Sequence, residues 1–294
     1  MNKIFFEGSA VALVTPYRKD GSVNYDKLEE LINFQIENGT DAILVCGTTG
    51  EASTMNKRVH LNVVKHAAKF INKRVPLFVG AGSNDTLKAA KLSYEVQEAG
   101  ANAILSVTPY YNKTTQKGLI EHYKEIANVI DIPMVLYNVK SRTGMNINPE
   151  TVKILSEVPN ICGIKECDFS QVGKIRNLCG DNFAIYSGED AYVVPLLSLG
   201  GNGVISVVAN VMPREVSDMV HYFLNGEIKQ SKEIQIYLLE LIEALFVEVN
   251  PIPVKTALNL MGMNVGNCIL PLTTMEEETY YKLKKTMLKY GLIN

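Results

Sequence analysis

Lys165 closes the apolar run Ile161-Cys162-Gly163-Ile164, a setting suited to covalent chemistry by an amine. Alternate side chains of a strand share a face, so Ile161, Gly163 and Lys165 are expected on one side and Cys162, Ile164 and Glu166 on the other. An ammonium carried into apolar surroundings loses hydration. Its pKa falls from about 10.4, and more of it becomes the free amine that attacks a ketone. The same position also suits a lysine paired with a carboxylate at a strand end, and Lys165 alone does not separate the two readings. Tyr137 ends the run PMVLY, where Val135 and Tyr137 share a face. A phenol beside Lys165 can relay protons on and off a carbinolamine oxygen as an imine forms. The alternative is a core tyrosine whose hydroxyl is tied to backbone.

A second group of residues suits small anions. In GTTGE, Gly47 to Glu51, glycines at both ends are expected to permit a tight turn that presents amides and the Thr48 and Thr49 hydroxyls to a carboxylate. The run lacks the lysine and spacing of a P-loop, which disfavours nucleotides. Arg142 in SRTG can hold another carboxylate bidentately, or it is a solvated loop arginine. Tyr110 and Tyr111 in TPYYN offer a further hydroxyl or an exposed aromatic suited to a subunit contact. The five cysteines (Cys46, Cys162, Cys167, Cys179, Cys268) form no CxxC, and His60, His66, His122 and His221 have no ligand spacing. Reduced thiols and no bound metal are therefore expected.

The elements that must position these groups form an alternation repeated eight times. The β-rich runs are SAVALVTP, DAILVCG, PLFVGAG, NAILSVTP, PMVLYN, ICGIKE, FAIYSG and GVISV, separated by segments of helical periodicity. In DTLKAAKLSYEVQEAG, for example, Asp85 is placed to cap the start and Gly100 to end the helix. Runs apolar at nearly every position suit parallel strands covered on both faces. Eight successive βα units favour a (β/α)8 TIM barrel over an open sheet. After Val207 only helical segments follow, so residues 1–224 are read as the barrel and 225–294 as a C-terminal helical extension packed on it, not an independent domain. In such barrels the site lies where strands end, which directs attention to CGTTGE, TPYYN, YNVKSRTG, IKEC and SGED.

Charges nearly cancel, 29 basic against 31 acidic, so no concentrated basic face for nucleic acid is expected. The apolar stretch from Ala191 to Met212 is broken by Pro195, Gly200, Gly201 and Asn202, which argues against a membrane span. Lys3 and the following Ile-Phe-Phe are cut short by Glu7 and Gly8, too short for a signal peptide. A cytoplasmic protein is the expectation.

GTTGE, TPYYN, YNVKSRTG, GIKE and NPIPVK, in this order on an eightfold pattern, resemble the dihydrodipicolinate synthase family. GIKE and NPIPVK are similar also to the wider pyruvate-dependent class I aldolases that include N-acetylneuraminate lyase. The resemblance covers essentially the whole chain. It implies that Lys165 forms the pyruvate imine and that Tyr137, Thr48 and Tyr111 relay protons, Tyr111 reaching into a neighbouring subunit. It implies that Thr49 binds the pyruvate carboxylate and Arg142 the carboxylate of L-aspartate 4-semialdehyde, with Gly188 and the Ile205 carbonyl lining the pocket. The family is typically a homotetramer, a dimer of dimers, feeding diaminopimelate and lysine synthesis, and its reaction needs no metal or organic cofactor.

Two departures stand out. Lys140 replaces the proline usual before the SRTG serine, so a less rigid loop of little consequence is expected. At the lysine-feedback site of some relatives, His60, Asn84 and Tyr110 match but Ala52, Lys57 and Lys88 do not. Two added cations and a missing carboxylate there lead to an expectation of insensitivity to lysine. The rival readings are a sialic acid lyase or 2-keto-3-deoxy sugar acid aldolase, for whose polyol chains Arg142 is a poor companion, and a non-catalytic barrel that binds a keto acid without forming an adduct.

Overall fold

The computed structural model describes residues 5–294, so Lys3 and Ile4 of the amino-terminal apolar run lie outside the described residues. Strands β1 (Gly8–Ala12), β2 (Ala42–Val45), β3 (Leu77–Gly80), β4 (Ala103–Val107), β5 (Met134–Asn138), β6 (Ile161–Glu166), β7 (Ala184–Ser187) and β8 (Gly203–Ser206) coincide with the eight apolar runs. Each pairs in parallel with its sequence neighbour, and β8 returns to β1, closing the barrel. The helices up to β6 are α1 (Tyr25–Glu37), α2 (Lys57–Ile71), α3 (Thr86–Glu98), α4 (Gln116–Ala127), the single turn α5 (Lys140–Thr143) and α6 (Pro149–Ser156). Beyond it come α7 (Val172–Cys179), α8 (Val193–Ser198), α9 (Pro213–Leu224), α10 (Ile228–Leu245), α11 (Ile252–Leu260) and α12 (Glu277–Lys289).

Local sequence accounts for these elements. At α3 the Asp85 carboxylate accepts from the Lys88 amide at 3.0 Å, Ala89, Ala90, Ser93 and Val96 form the buried stripe, and Gly100 turns the chain at φ 108°. Along β1, Ala10 and Ala12 face the barrel interior while Val11 faces the helices, so the strands serve two cores. The interior core is small-residue rich. Towards the start of the strands Phe6 stacks on Tyr186, with ring centroids 4.5 Å apart, and meets Phe78 edge-on at 5.4 Å.

β6 departs from strict alternation. Ile161 packs outward with the helices and Cys162 inward, the reverse of the expected assignment. The cause is a register shift: Met134 pairs with Ile161, but the next residue, Val135, pairs with Gly163. One extra residue opposes β5, so inward-facing Cys162 is followed by Gly163, also turned towards Ala184. The irregularity restores Lys165 to the interior face, in register with Tyr137 on one side and Tyr186 on the other. Glycine is required at its centre, since a Cβ at Gly163 would lie 2.7 Å from the Ala184 carbonyl oxygen.

The helices after β8 are welded to the barrel. Leu238, Leu241 and Leu245 of α10 and Leu283 and Met287 of α12 join the same buried cluster as the outward faces of the strands. At α11, Lys255 forms a buried ion pair with Glu51 at 2.8 Å, reaching the loop after β2.

Candidate active site

At the C-terminal ends of the strands lies a cavity of about 140 Å³, lined by Thr48, Thr49, Tyr137, Arg142, Lys165, Gly188, Glu189 and Asn250 among others. Lys165 is 5% exposed, with its Nζ 4.7 Å from the centroid of the Tyr137 ring. Burial lowers its pKa, opposed by Cys167, Asp190 and Glu189 nearby, so the free amine is more populated than for a solvated lysine. No standing carboxylate lies within ion-pair distance of Lys165 among the described residues, which disfavours the paired-lysine reading.

Gly188 keeps space beside this amine. A Cβ there would stand 2.3 Å from the Cys167 Sγ and 3.2 Å from the Lys165 Cε. Burial drives the Tyr137 phenol well above its ordinary pKa, while a hydrogen bond with the Thr48 side chain and the Arg142 charge pull it back. The phenol thus remains a proton donor whose hydroxyl bonds to another hydroxyl rather than to backbone, the arrangement a relay needs.

The turn after β2 is tight, but not in the way its glycines suggest. Positive φ falls on Cys46 (54°) and Glu51 (59°) rather than on Gly47 or Gly50. Gly50 is needed instead for close approach, because a Cβ there would meet the Cys46 amide nitrogen at 3.0 Å. Glu51 holds its conformation through its buried bonds: its carboxylate accepts from Lys255 Nζ at 2.8 Å and from the Ile269 amide at 2.7 Å.

Asn250 is the site residue that sequence reasoning missed. Its side-chain amide donates to the Thr49 hydroxyl at 2.9 Å, and its carbonyl accepts from the Arg142 guanidinium at 3.3 Å. One residue of the C-terminal extension therefore ties two predicted binding groups together. Its only sequence signal was the NPIPVK run itself, a polar residue before proline between two helices. Phe246, Glu189 and Ser141 also line the cavity without having been singled out.

The structure does not bring every candidate here. Ile205 belongs to the barrel-interior core and does not line the cavity. Tyr111 is 92% exposed at φ 70° and does not line its own chain's cavity. Arg142 sits on α5, whose turn closes through the Gly144 amide donating to the Lys140 carbonyl at 2.9 Å, so a regular turn forms without the proline.

A larger cavity of about 620 Å³ adjoins the first and is lined by Ala52, Lys57, His60, Lys88, Glu95 and Tyr110, with Thr48, Tyr137 and Arg142 shared. Asn84 does not line it. The expectation that this region lacks a carboxylate is corrected: Glu95 reaches it from α3 and pairs with Lys57 at 2.9 Å. The pairing partner comes from a different helix, 38 positions away, which spacing does not reveal. Burial lowers the His60 pKa to about 4, leaving the ring neutral. Among the described residues no group of three or more His, Cys, Asp or Glu is placed to hold a metal ion, and no helix is long and apolar enough to cross a membrane.

The model of the dihydrodipicolinate synthetase family matches residues 5–290. A 4-hydroxy-tetrahydrodipicolinate synthase of Acetivibrio thermocellus is 58% identical over 293 residues, 100% of both chains. Among solved structures, the chain is similar to a chloride-inhibited dihydrodipicolinate synthase from Acinetobacter baumannii complexed with pyruvate (41% identity, TM-score 0.96, 98% and 100% coverage). It is similar also to an enzyme of the same name from Cyanidioschyzon merolae with lysine bound (39% identity, TM-score 0.95, 98% and 99% coverage). With a match along nearly its whole length and a buried lysine at the mouth of the barrel, the chain belongs to the dihydrodipicolinate synthetase family.

Proposed function

We propose that this enzyme is a lyase-class synthase that condenses pyruvate with L-aspartate 4-semialdehyde to 4-hydroxy-tetrahydrodipicolinate, on the route to diaminopimelate and lysine. The observation that carries the reading is Lys165: buried, unpaired, facing the cavity, and held beside a Tyr137 phenol bonded to Thr48. Its amine adds to the pyruvate ketone, and Tyr137, through Thr48, moves the protons that turn carbinolamine into imine. The imine acidifies the methyl carbon. The enamine that follows attacks the aldehyde, and the substrate's own amine displaces Lys165 as the ring closes. Thr49 and its amide hold the pyruvate carboxylate, and Arg142 holds that of the aldehyde at the cavity rim. Gly188 keeps the wall open beside Lys165 in this reading, while Ile205, first expected to line the pocket, lies in the barrel interior beneath it.

Tyr111, so exposed on a single chain, completes the relay of a neighbouring subunit in a homotetramer built as a dimer of dimers. We take residues 225–294 as an extension of the barrel rather than a separate domain, and place the enzyme in the cytoplasm. No nucleic acid or membrane partner and no metal or organic cofactor enters the reaction.

The test is a side-by-side assay. Condensation of pyruvate with aspartate semialdehyde should be fast, and cleavage of N-acetylneuraminate or 2-keto-3-deoxy sugar acids at the background rate. The reverse result would reassign the enzyme within the pyruvate aldolases. In the same condensation assay, submillimolar lysine is expected to leave the rate unchanged. Lys57 already balances the charge of Glu95, the one carboxylate lining the larger cavity, and Lys88, Lys91 and Arg142 line the same space, so an incoming ammonium meets net positive charge. Substantial inhibition at that concentration would refute this.

A further inference from the structure

The smaller cavity contains one acidic lining residue, Glu189, in a place where the carboxylates of two substrates are to bind. Its backbone is anchored just beyond β7: the Ser187 hydroxyl donates to the Glu189 carbonyl at 2.7 Å, and the Tyr192 amide donates to the same carbonyl at 3.1 Å. The carboxylate takes a hydrogen bond from the Cys167 thiol. No cation stands within 4.0 Å of it among the described residues. The neighbouring carboxylate Asp190 is spoken for, accepting from the Ser206 hydroxyl and from the Val207 amide at 3.0 Å. Desolvation raises the Glu189 pKa, and Lys165 and Arg142 lower it.

A half-buried carboxylate beside an anion site weakens anion binding unless a cation joins it. Lys165 is a partner only for part of the cycle. Once the pyruvate imine has lost a proton to become the enamine, the Lys165 nitrogen is neutral, and Glu189 then faces the incoming second substrate without it. That substrate is an α-amino acid, with a carboxylate and an ammonium on one carbon. Arg142 matches the first charge, and Glu189 the second.

Resting on the function proposed above, we propose that Glu189 is a specificity-determining residue that receives the α-ammonium of aspartate semialdehyde, opposite Arg142. The pair then reads the amino-acid end of the aldehyde and turns its far carbon towards the enamine. Succinate semialdehyde, the same molecule without the amine, makes the Arg142 contact only.

The experiment compares the parent enzyme with Glu189→Gln, measuring KM for each substrate, inhibition by succinate semialdehyde, and borohydride trapping of pyruvate. Loss of one charge-assisted hydrogen bond predicts a rise of about 10- to 100-fold in KM for aspartate semialdehyde. Trapping and KM for pyruvate should stay close to the parent, and the Ki of succinate semialdehyde should stay within about threefold. Glu189→Asp, which keeps the charge on a shorter arm, should recover part of the loss and serves also if the glutamine variant folds poorly. An unchanged KM for aspartate semialdehyde, or equal weakening of both aldehydes, would overturn the assignment. A parent enzyme that traps pyruvate but does not condense aspartate semialdehyde would instead overturn the function on which it rests.

Discussion

Lys165→Ala will abolish both condensation and the borohydride-trapped pyruvyl adduct, with the rate falling on the order of 10³-fold or more. The size of the effect follows from the absence of a substitute. Lys255 is buried too, but its Nζ is held by Glu51 and by the Thr15 and Asn267 carbonyls at 3.1 and 2.8 Å, and it does not line the cavity. In the parent protein, peptide mapping after reduction should place the adduct on Lys165 alone. The pH dependence has a definite sign. Only the neutral amine attacks, and burial lowers the Lys165 pKa, so imine formation should persist at lower pH than a solvated lysine allows and fall as pH drops through that lowered value. Stopped-flow imine formation across pH reads this directly. A Lys165→Ala enzyme that turned over like the parent would remove the proposed mechanism altogether.

Glu51→Ala is expected to cost about 3–5 kcal/mol of stability, the range for breaking one side of a buried ion pair. Both partners are almost fully withdrawn from water, with side chains 1% and 2% exposed, so the ammonium left behind has no solvent to turn to. The loss propagates. Glu51 also receives the Ile269 amide, and Lys255 packs over the Tyr17 ring at 4.6 Å, so one substitution unties the β2 turn, α11 and the segment beyond it. For a chain of this size the corresponding drop in Tm is on the order of 10 °C, measured at fixed protein concentration without ligand. Because Thr48 and Thr49 precede Glu51 on the same turn, KM for pyruvate should rise as well. A loss of under about 1 kcal/mol would mean that the pair contributes little beyond packing.

Most of the architecture follows from local pattern. Eight apolar runs, each followed by a helical period and punctuated by caps such as Asp85 and turns such as Gly100, leave few topologies open, and the closed parallel barrel is the one that buries them all. That Lys165, Tyr137, Thr48, Thr49 and Arg142 gather around one cavity was legible for the same reason: strand ends in such a barrel converge on one mouth.

What local pattern could not decide was anything set by partners far along the chain. Alternation put Ile161 on the inner face, and only the β5 register shows the extra residue at Cys162-Gly163 that keeps Lys165 inward. Glu95 on Lys57, Glu189 on the cavity wall, and Asn250 joining Thr49 to Arg142 across 201 and 108 positions are likewise invisible to spacing. A side chain's period reports which face it occupies on its own element. Which groups meet across that face depends on how distant elements pack, and this is fixed only when the whole chain has folded.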